Sequence, residues 1–473
     1  MNKIIIILFL FYSVILSQNI LKIDSLDKKI VDLTFNDKYT EVKQICDSLI
    51  ISNNKNPKYY FNWFGADALQ LHEKINRFPL SGRDSLREIL VDKSIDSLEK
   101  VLKMLENIPR TPANRFYLAS LHGYYSRYAG LNGYWWAAYV NGKKANEMFE
   151  KLIEEYPDFY DAYLYPGVFG YYAARLNGFN AFIASILGVS GNRIDGLKYI
   201  NLALRKGVIV YPQALLMKLE INTVMEDNPY EAIPLFEEFI NKYPANKRVI
   251  NWYGHTLLNL YLTKKTGKKI NNDSLKIIDS FVKAKYYFIT GKIDSSKKYS
   301  LIAFRKPNTW KGIVEHTKYY YVYLAWLTKD KKELRKYKKK LNAYYSSLFS
   351  NDIKHETESK YIYLLTVLLA NNNYPEFEKE VKHSPKFKST YFEAEYNLLQ
   401  GIALFHRGYK KEAIPFFENA EKSPDERKHT IALRYQLDIY MNCQPSYNKK
   451  QKLIEKIEDS DFDKLIFRLQ DFN

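Results

Sequence analysis

Eight histidines and two cysteines, Cys46 and Cys443, are the side chains best suited to metal or nucleophilic chemistry in this chain. Their spacing assembles neither. No histidine opens a His-Glu-x-x-His zinc helix, in which two imidazoles one turn apart share a face. Two cysteines cannot supply a cysteine metal cluster. Phosphate loops, dinucleotide fingerprints and Gly-x-Ser-x-Gly elbows are missing as well. His72 with Glu73 and Glu315 with His316 are adjacent pairs, which do not share a helix face, so they read as surface or satisfied core residues. Glu154 with Glu155, and Glu237 with Glu238, read as solvated helix faces. The expectation is a protein that is not an enzyme and carries no metal or cofactor. A catalytic pair assembled from distant residues is the one arrangement that spacing does not test.

Binding chemistry is better represented. The chain holds 41 Tyr, 27 Phe and 6 Trp, and two stretches concentrate them. One runs Gly-Tyr-Tyr, then Leu131-Asn132-Gly133, then Tyr134-Trp135-Trp136. The other runs Gly-Tyr-Tyr, then Leu176-Asn177-Gly178, then Phe179 and Phe182. Each Asn-Gly suits a left-handed helix cap. Apolar residues follow, which is unusual for a surface turn. Two readings stand for Tyr134, Trp135, Trp136, Phe179 and Phe182. They form an exposed surface for a peptide or a sugar, or they fold back as extra core.

The elements that would carry these rings follow from a second spacing. Ala145, Phe149, Pro157 and Gly167 lie 4, 8 and 10 residues apart, and Ala232, Phe236, Pro244 and Gly254 repeat the series 87 residues on. Ala and Phe four apart share a helix face. The small Ala lets a neighbour approach and the Phe fills the groove beside it. Proline ends the helix, having no N–H and clashing with the preceding turn. A glycine inside the next helix costs about 1 kcal/mol relative to alanine, and is tolerated where two helices touch. Gly401, Gly408, Ala413, Phe417 and Ala420 form a third copy. EAIPLFE at 231–237 is echoed by EAIPFFE at 412–418, with each proline expected near its helix start. Gly65 and Gly123 mark weaker copies, and Tyr39, Val42, Cys46 and Leu49 trace another helix face.

This pattern resembles the tetratricopeptide repeat, a helix–turn–helix unit of about 34 residues. Gly167, Gly254 and Gly401 match its small residue in the first helix. Ala145 with Phe149, Ala232 with Phe236, and Ala413 with Phe417 match the pair in its second helix. Pro157 and Pro244 match its terminal proline. The resemblance implies an all-α, tetratricopeptide-like solenoid of stacked helix pairs whose concave side binds a protein or peptide. Residues 187–197, LGVSGNRIDGL, are also similar to a stretch of the tetratricopeptide family numbered thirty-nine, with Asn192 where that family has an acid. On physical grounds Asn192 caps the helix that follows, Asp195 suits its first turn, and Gly196 serves as a small packing residue.

Residues 4–16 form a thirteen-residue apolar run after Lys3 and before Ser17. A spanning helix needs roughly 20 apolar residues, so residues 1–17 are expected to be a signal peptide. No Cys follows the run, so lipid attachment is not expected. An exported protein of the periplasm or cell envelope, or a secreted one, is the expectation. No transmembrane span is expected in the mature chain, which leaves peripheral membrane contact open. The array is expected over 18–260, with the aromatic insertions at about 131–142 and 176–193. Degenerate helical repeats follow over 261–390, then a last repeat with capping helices over 391–473. Cys46 and Cys443 are expected to be buried free thiols.

The net charge is +18, but the basic residues are spread along the chain. Their tightest cluster, at 329–340, reads as a solvated helix face. Nucleic acid is therefore not the expected partner. A non-enzymatic scaffold that binds a protein or peptide is the leading expectation. A saccharide or small-ligand binding protein using the aromatic insertions is the alternative.

Overall fold

The helical spacing of apolar side chains becomes helix over the described residues. The computed structural model describes residues 20–76, 80–174, 191–225, 229–263, 279–305 and 311–442, with 448–450, 452, 453 and 456 beyond them. Among the described residues there are helices and turns but no strand. The segment 1–17, Phe179, Phe182 and Cys443 lie outside them. Cys46 is buried with a free thiol, which burial pushes up to about 12.

The chain forms two compact units, 1–249 and 250–473. The first contains α1 (Ser25–Phe35), α2 (Tyr39–Ser52), α3 (Pro57–Asn76), α4 (Leu80–Met104), α5 (Pro112–Leu131) and α6 (Trp135–Glu155). A 3-10 turn (Tyr160–Tyr163) leads into α7 (Leu164–Ala173), followed by α8 (Arg193–Lys206), α9 (Tyr211–Glu220) and α10 (Pro229–Lys242). The boundary falls inside α11 (Lys247–Thr263). The second unit continues with α12 (Ser280–Ile289), α13 (Ile293–Arg305), α14 (Lys311–Leu327), α15 (Lys331–Lys338) and α16 (Ala343–Lys354). It ends with α17 (Glu356–Ala370), α18 (Tyr374–Lys382), α19 (Thr390–His406), α20 (Lys410–Ala420) and α21 (Glu426–Asn442).

The residues of the repeated spacing sit where helices meet. Ala145, Ala232 and Ala413 are fully buried, as are Phe236 and Phe417, and Phe149 nearly so. Gly167 and Gly254 are buried in their helices, while Pro157 and Pro244 are exposed after α6 and α10. A Cβ on Gly401 would stand 2.7 Å from the Phe417 ring. That ring is itself stacked on Tyr435, 4.9 Å away and within 5° of parallel. Gly167 and Gly196 form a tighter crossing between α7 and α8. A Cβ on Gly196 would lie 2.8 Å from the Gly167 carbonyl oxygen and 2.7 Å from the Tyr171 backbone nitrogen. Asn192 caps α8 by accepting from the N–H groups of Ile194 and Asp195, and Asp195 lies in the first turn.

Two expectations are corrected. Pro234 and Pro415 lie well inside α10 and α20, five residues beyond their starts. Both are exposed, so the carbonyl each leaves without an N–H partner is on the solvent side, where water replaces the lost bond. The stretch 131–142 is not an insertion loop. It is the end of α5, a short turn and the first two turns of α6.

The first unit also closes on itself, which repeats that touch only their neighbours do not do. The backbone N–H of Ala245 donates to Asn36 (3.0 Å) and that of Lys247 to Asp37 (2.9 Å). Asn246 returns a bond from Nδ2 to the Phe35 carbonyl (2.8 Å). Phe35 lies edge-on to Phe239 at 6.3 Å and 5.6 Å from Tyr243. Residues at the two ends of the unit thus share one core.

In the second unit the basic run forms α15, with Tyr337 as its buried residue and an N-cap from Asp330 to the Glu333 N–H. No helix among the described residues is long and apolar enough to cross a membrane.

Candidate aromatic site

The turn that presents the rings is fixed from both sides. Gly133 takes φ +74°, a left-handed conformation that favours glycine. Its N–H donates to the Gly130 carbonyl (3.2 Å), and the Tyr134 N–H reaches back to Ala129 (2.9 Å). This doubly bonded C-terminal cap satisfies the last carbonyls of α5. Asp92 of α4 anchors the turn by accepting from Asn132 Nδ2 (2.9 Å) and from the Tyr134 hydroxyl (3.0 Å).

Beyond this anchor the side chains stand in solvent. Trp135 and Trp136 are 74% and 68% exposed. Leu131, Tyr134 and Val140 are exposed beside them. Trp136 meets Tyr139 at 5.6 Å with the rings tilted by 36°. Adjacent residues of a helix point about 100° apart, so Trp135 diverges from Trp136 instead of sharing a plane with it. Five large apolar side chains displayed within ten residues form a patch of the kind that marks interaction surfaces. The corresponding rings of the second stretch, Phe179 and Phe182, are outside the described residues.

Titratable groups gather elsewhere, as satisfied networks. Asp67 is buried and receives an ion pair from Lys43 and hydrogen bonds from Ser94 Oγ (2.7 Å) and the Tyr128 hydroxyl (3.0 Å). These four residues tie together α2, α3, α4 and α5, and burial holds the Tyr128 phenol well above its ordinary value. Glu315, flagged by its histidine neighbour, is buried and accepts from Lys318 (2.7 Å) and from the Asn342 N–H (3.1 Å). His255 is a core residue packed on Phe281, and burial pushes its imidazole down to about 3. Among the described residues no group of three or more His, Cys, Asp or Glu could hold a metal ion.

Asp352 carries the clearest pH signature. It is 3% exposed and accepts from Tyr319 (2.8 Å) and Ser359 (2.8 Å), joining α14, α16 and α17. Burial pushes its carboxyl up to about 6, aided by Glu395 and opposed by the two hydrogen bonds and by Lys428. The folded state therefore holds this proton more tightly than the unfolded chain, where an aspartate titrates near 3.9. The resulting stability is full below about pH 4 and is lost as pH rises through about 6. It amounts to about 3 kcal/mol at most. Asp352→Asn is expected to flatten the pH dependence of unfolding of the second unit across that window. Melting curves between pH 4 and 7 that keep the wild-type slope would show that Asp352 is not its source.

No protein-family model matches the chain, and no curated protein or solved structure matches it either.

Proposed function

We propose that the chain is a non-enzymatic, tetratricopeptide-like scaffold of the cell envelope that binds a polypeptide partner through the aromatic ridge at the start of α6. The observation that carries this reading is the exposure of Trp135 and Trp136 on a turn held rigid by Asp92. Exposed tryptophans on a pre-ordered backbone bind with little loss of conformational freedom, and such rings dominate protein interfaces. The net charge of +18 favours an acidic partner by long-range attraction. The alternative, a saccharide-binding protein, calls for rings sharing one plane. The divergence of Trp135 from Trp136, and the 36° tilt between Trp136 and Tyr139, weigh towards a polypeptide with a groove that takes rings on two sides.

The test is a double variant, Trp135→Ala with Trp136→Ala. Both side chains are exposed, so stability should change by only about 0.5 kcal/mol. Envelope proteins captured by the wild-type chain should be absent from the variant's eluate. Tryptophan emission should shift to the blue on adding the captured partner, and only in the wild type. An identical set of proteins retained by both chains would remove the ridge from the binding surface. Retardation of the wild type, but not the variant, in polysaccharide gels would favour the saccharide alternative.

A further inference from the structure

A quarter turn around α6 from Trp136, a hollow of about 690 Å³ opens between α4, α5 and α6. Volumes of this order are typical of small-molecule sites. Its floor is apolar, made by Leu102, Leu105, Leu118 and Met148. Its rim is cationic, made by Lys103, Arg110, Lys144 and Lys151. Arg115 also lines it but is held by Glu155 in a two-pronged pair (2.6 and 2.9 Å). Glu106 at the lip is the remaining acid. Lys103, Lys144 and Lys151 are exposed and form no ion pair or side-chain hydrogen bond with the described residues. Four cations thus face one uncommitted carboxylate.

The wall supplies a neutral polar group. His122 is buried, with Nδ1 2.8 Å from Asn141 Oδ1. Asn141 uses its Nδ2 to donate to the Ala137 carbonyl (3.1 Å). That fixes Oδ1 as the acceptor, so His122 carries its proton on Nδ1 and keeps Nε2 as an acceptor. Burial pushes this imidazole down to about 4, with Lys144 and Arg110 lowering it further and Asn141 opposing them. The ring is therefore uncharged at neutral pH, and the positive charge of the hollow is confined to its rim.

We propose that this hollow is a binding site for a monomeric carboxylate with an apolar body, the acid group held by Lys144 and Lys151 at the rim and the hydrocarbon lying on the floor. The separation of the two chemistries selects the ligand. A small hydrophilic anion gains nothing from the four apolar side chains, and a neutral hydrocarbon leaves the lysines unpaired. Each contact to the acid is a charge-assisted hydrogen bond at a surface partly shielded from water, where such bonds are stronger than neutral ones. This site is independent of the aromatic ridge.

Calorimetric titration of the full chain with decanoate, below the concentration at which it forms micelles, tests it. Saturable one-to-one binding is expected, with none for acetate or decanol. Lys144→Gln with Lys151→Gln should weaken it by about tenfold while leaving the melting temperature in place. Trp135→Ala with Trp136→Ala should bind decanoate as the wild type does, so loss of the ridge and loss of this site are told apart. In the wild type, the His122 ring resonances should titrate at a higher pH once decanoate is bound, because the acid offsets the field of Lys144 and Arg110. Decanol binding as tightly as decanoate, no saturable decanoate binding, or a lysine variant of unchanged affinity would each overturn the assignment.

Discussion

Asp161→Ala is expected to destabilise the first unit by about 3–5 kcal/mol. Asp161 is 1% exposed in the 3-10 turn before α7. Its Oδ1 accepts from three successive backbone N–H groups, those of Val208 (2.9 Å), Ile209 (2.8 Å) and Val210 (3.0 Å). These donors lead into α9, whose N-cap residue, Val210, has no side-chain oxygen to offer. Val210 is the N-cap of α9, and Val208 and Ile209 lie in the link before it, so one carboxylate ties that link to the turn before α7. The carboxylate also lies at the positive end of the α9 dipole. Alanine would leave buried donors without water or partner, and each such group costs about 1–3 kcal/mol. Asp161→Asn keeps an acceptor but loses the charge, so its cost should be about half. Hydrogen exchange localises the effect: the amides of Val208, Ile209 and Val210 should lose protection before the rest of the unit. A loss under about 1 kcal/mol for the alanine variant would show that the three bonds contribute little net stability.

Gly196→Ala is the second large effect, at about 3 kcal/mol. The added methyl group would stand 2.7 Å from the Tyr171 nitrogen and 2.8 Å from the Gly167 oxygen. Both are backbone atoms, so no rotamer change relieves the clash and α7 must move off α8. Tyr171, fully buried in the same core, would move with it. Gly130→Ala is the control, since a Cβ there meets nothing nearer than Ala138 Cβ at 4.0 Å. It should be neutral, or stabilising by up to about 1 kcal/mol from helix propensity alone. Equal melting temperatures for the two variants would mean that the α7–α8 crossing adjusts readily.

The part of this architecture legible in the sequence is the part that repeats at short range. Ala145 with Phe149, and Ala232 with Phe236, announce themselves because a helix brings residues four apart together. The Asn192 cap and the Asp195 dipole pairing are likewise local. Gly196 was legible as a small residue, but its partner Gly167 lies 29 positions earlier and nothing in the spacing joins them. Asp161 lies 47–49 residues from the amides it caps, and among 53 acidic residues it carries no mark of its own. The hollow draws its lining from three helices and from the link before α5, so its charge balance is invisible along the chain. For the aromatic ridge, the residues were identifiable but the backbone was not. Apolar residues after Asn-Gly read as an insertion, whereas a short, doubly bonded turn lets α6 begin at once and carry the rings on helix.

The closure of the first unit has a consequence for how the chain comes off the ribosome. Phe35 and Asn36 are made about 210 residues before the segment that covers them. At 5–20 residues per second that delay is roughly 10–40 s. Throughout it the apolar side of α1 lacks Phe239 and Tyr243, while the intervening helical pairs can already pack against their neighbours. The first unit therefore combines quick local assembly with a late, long-range step at this seam, the kind of non-local contact that slows folding. The nascent chain must keep its earliest helices in solution until its later ones arrive.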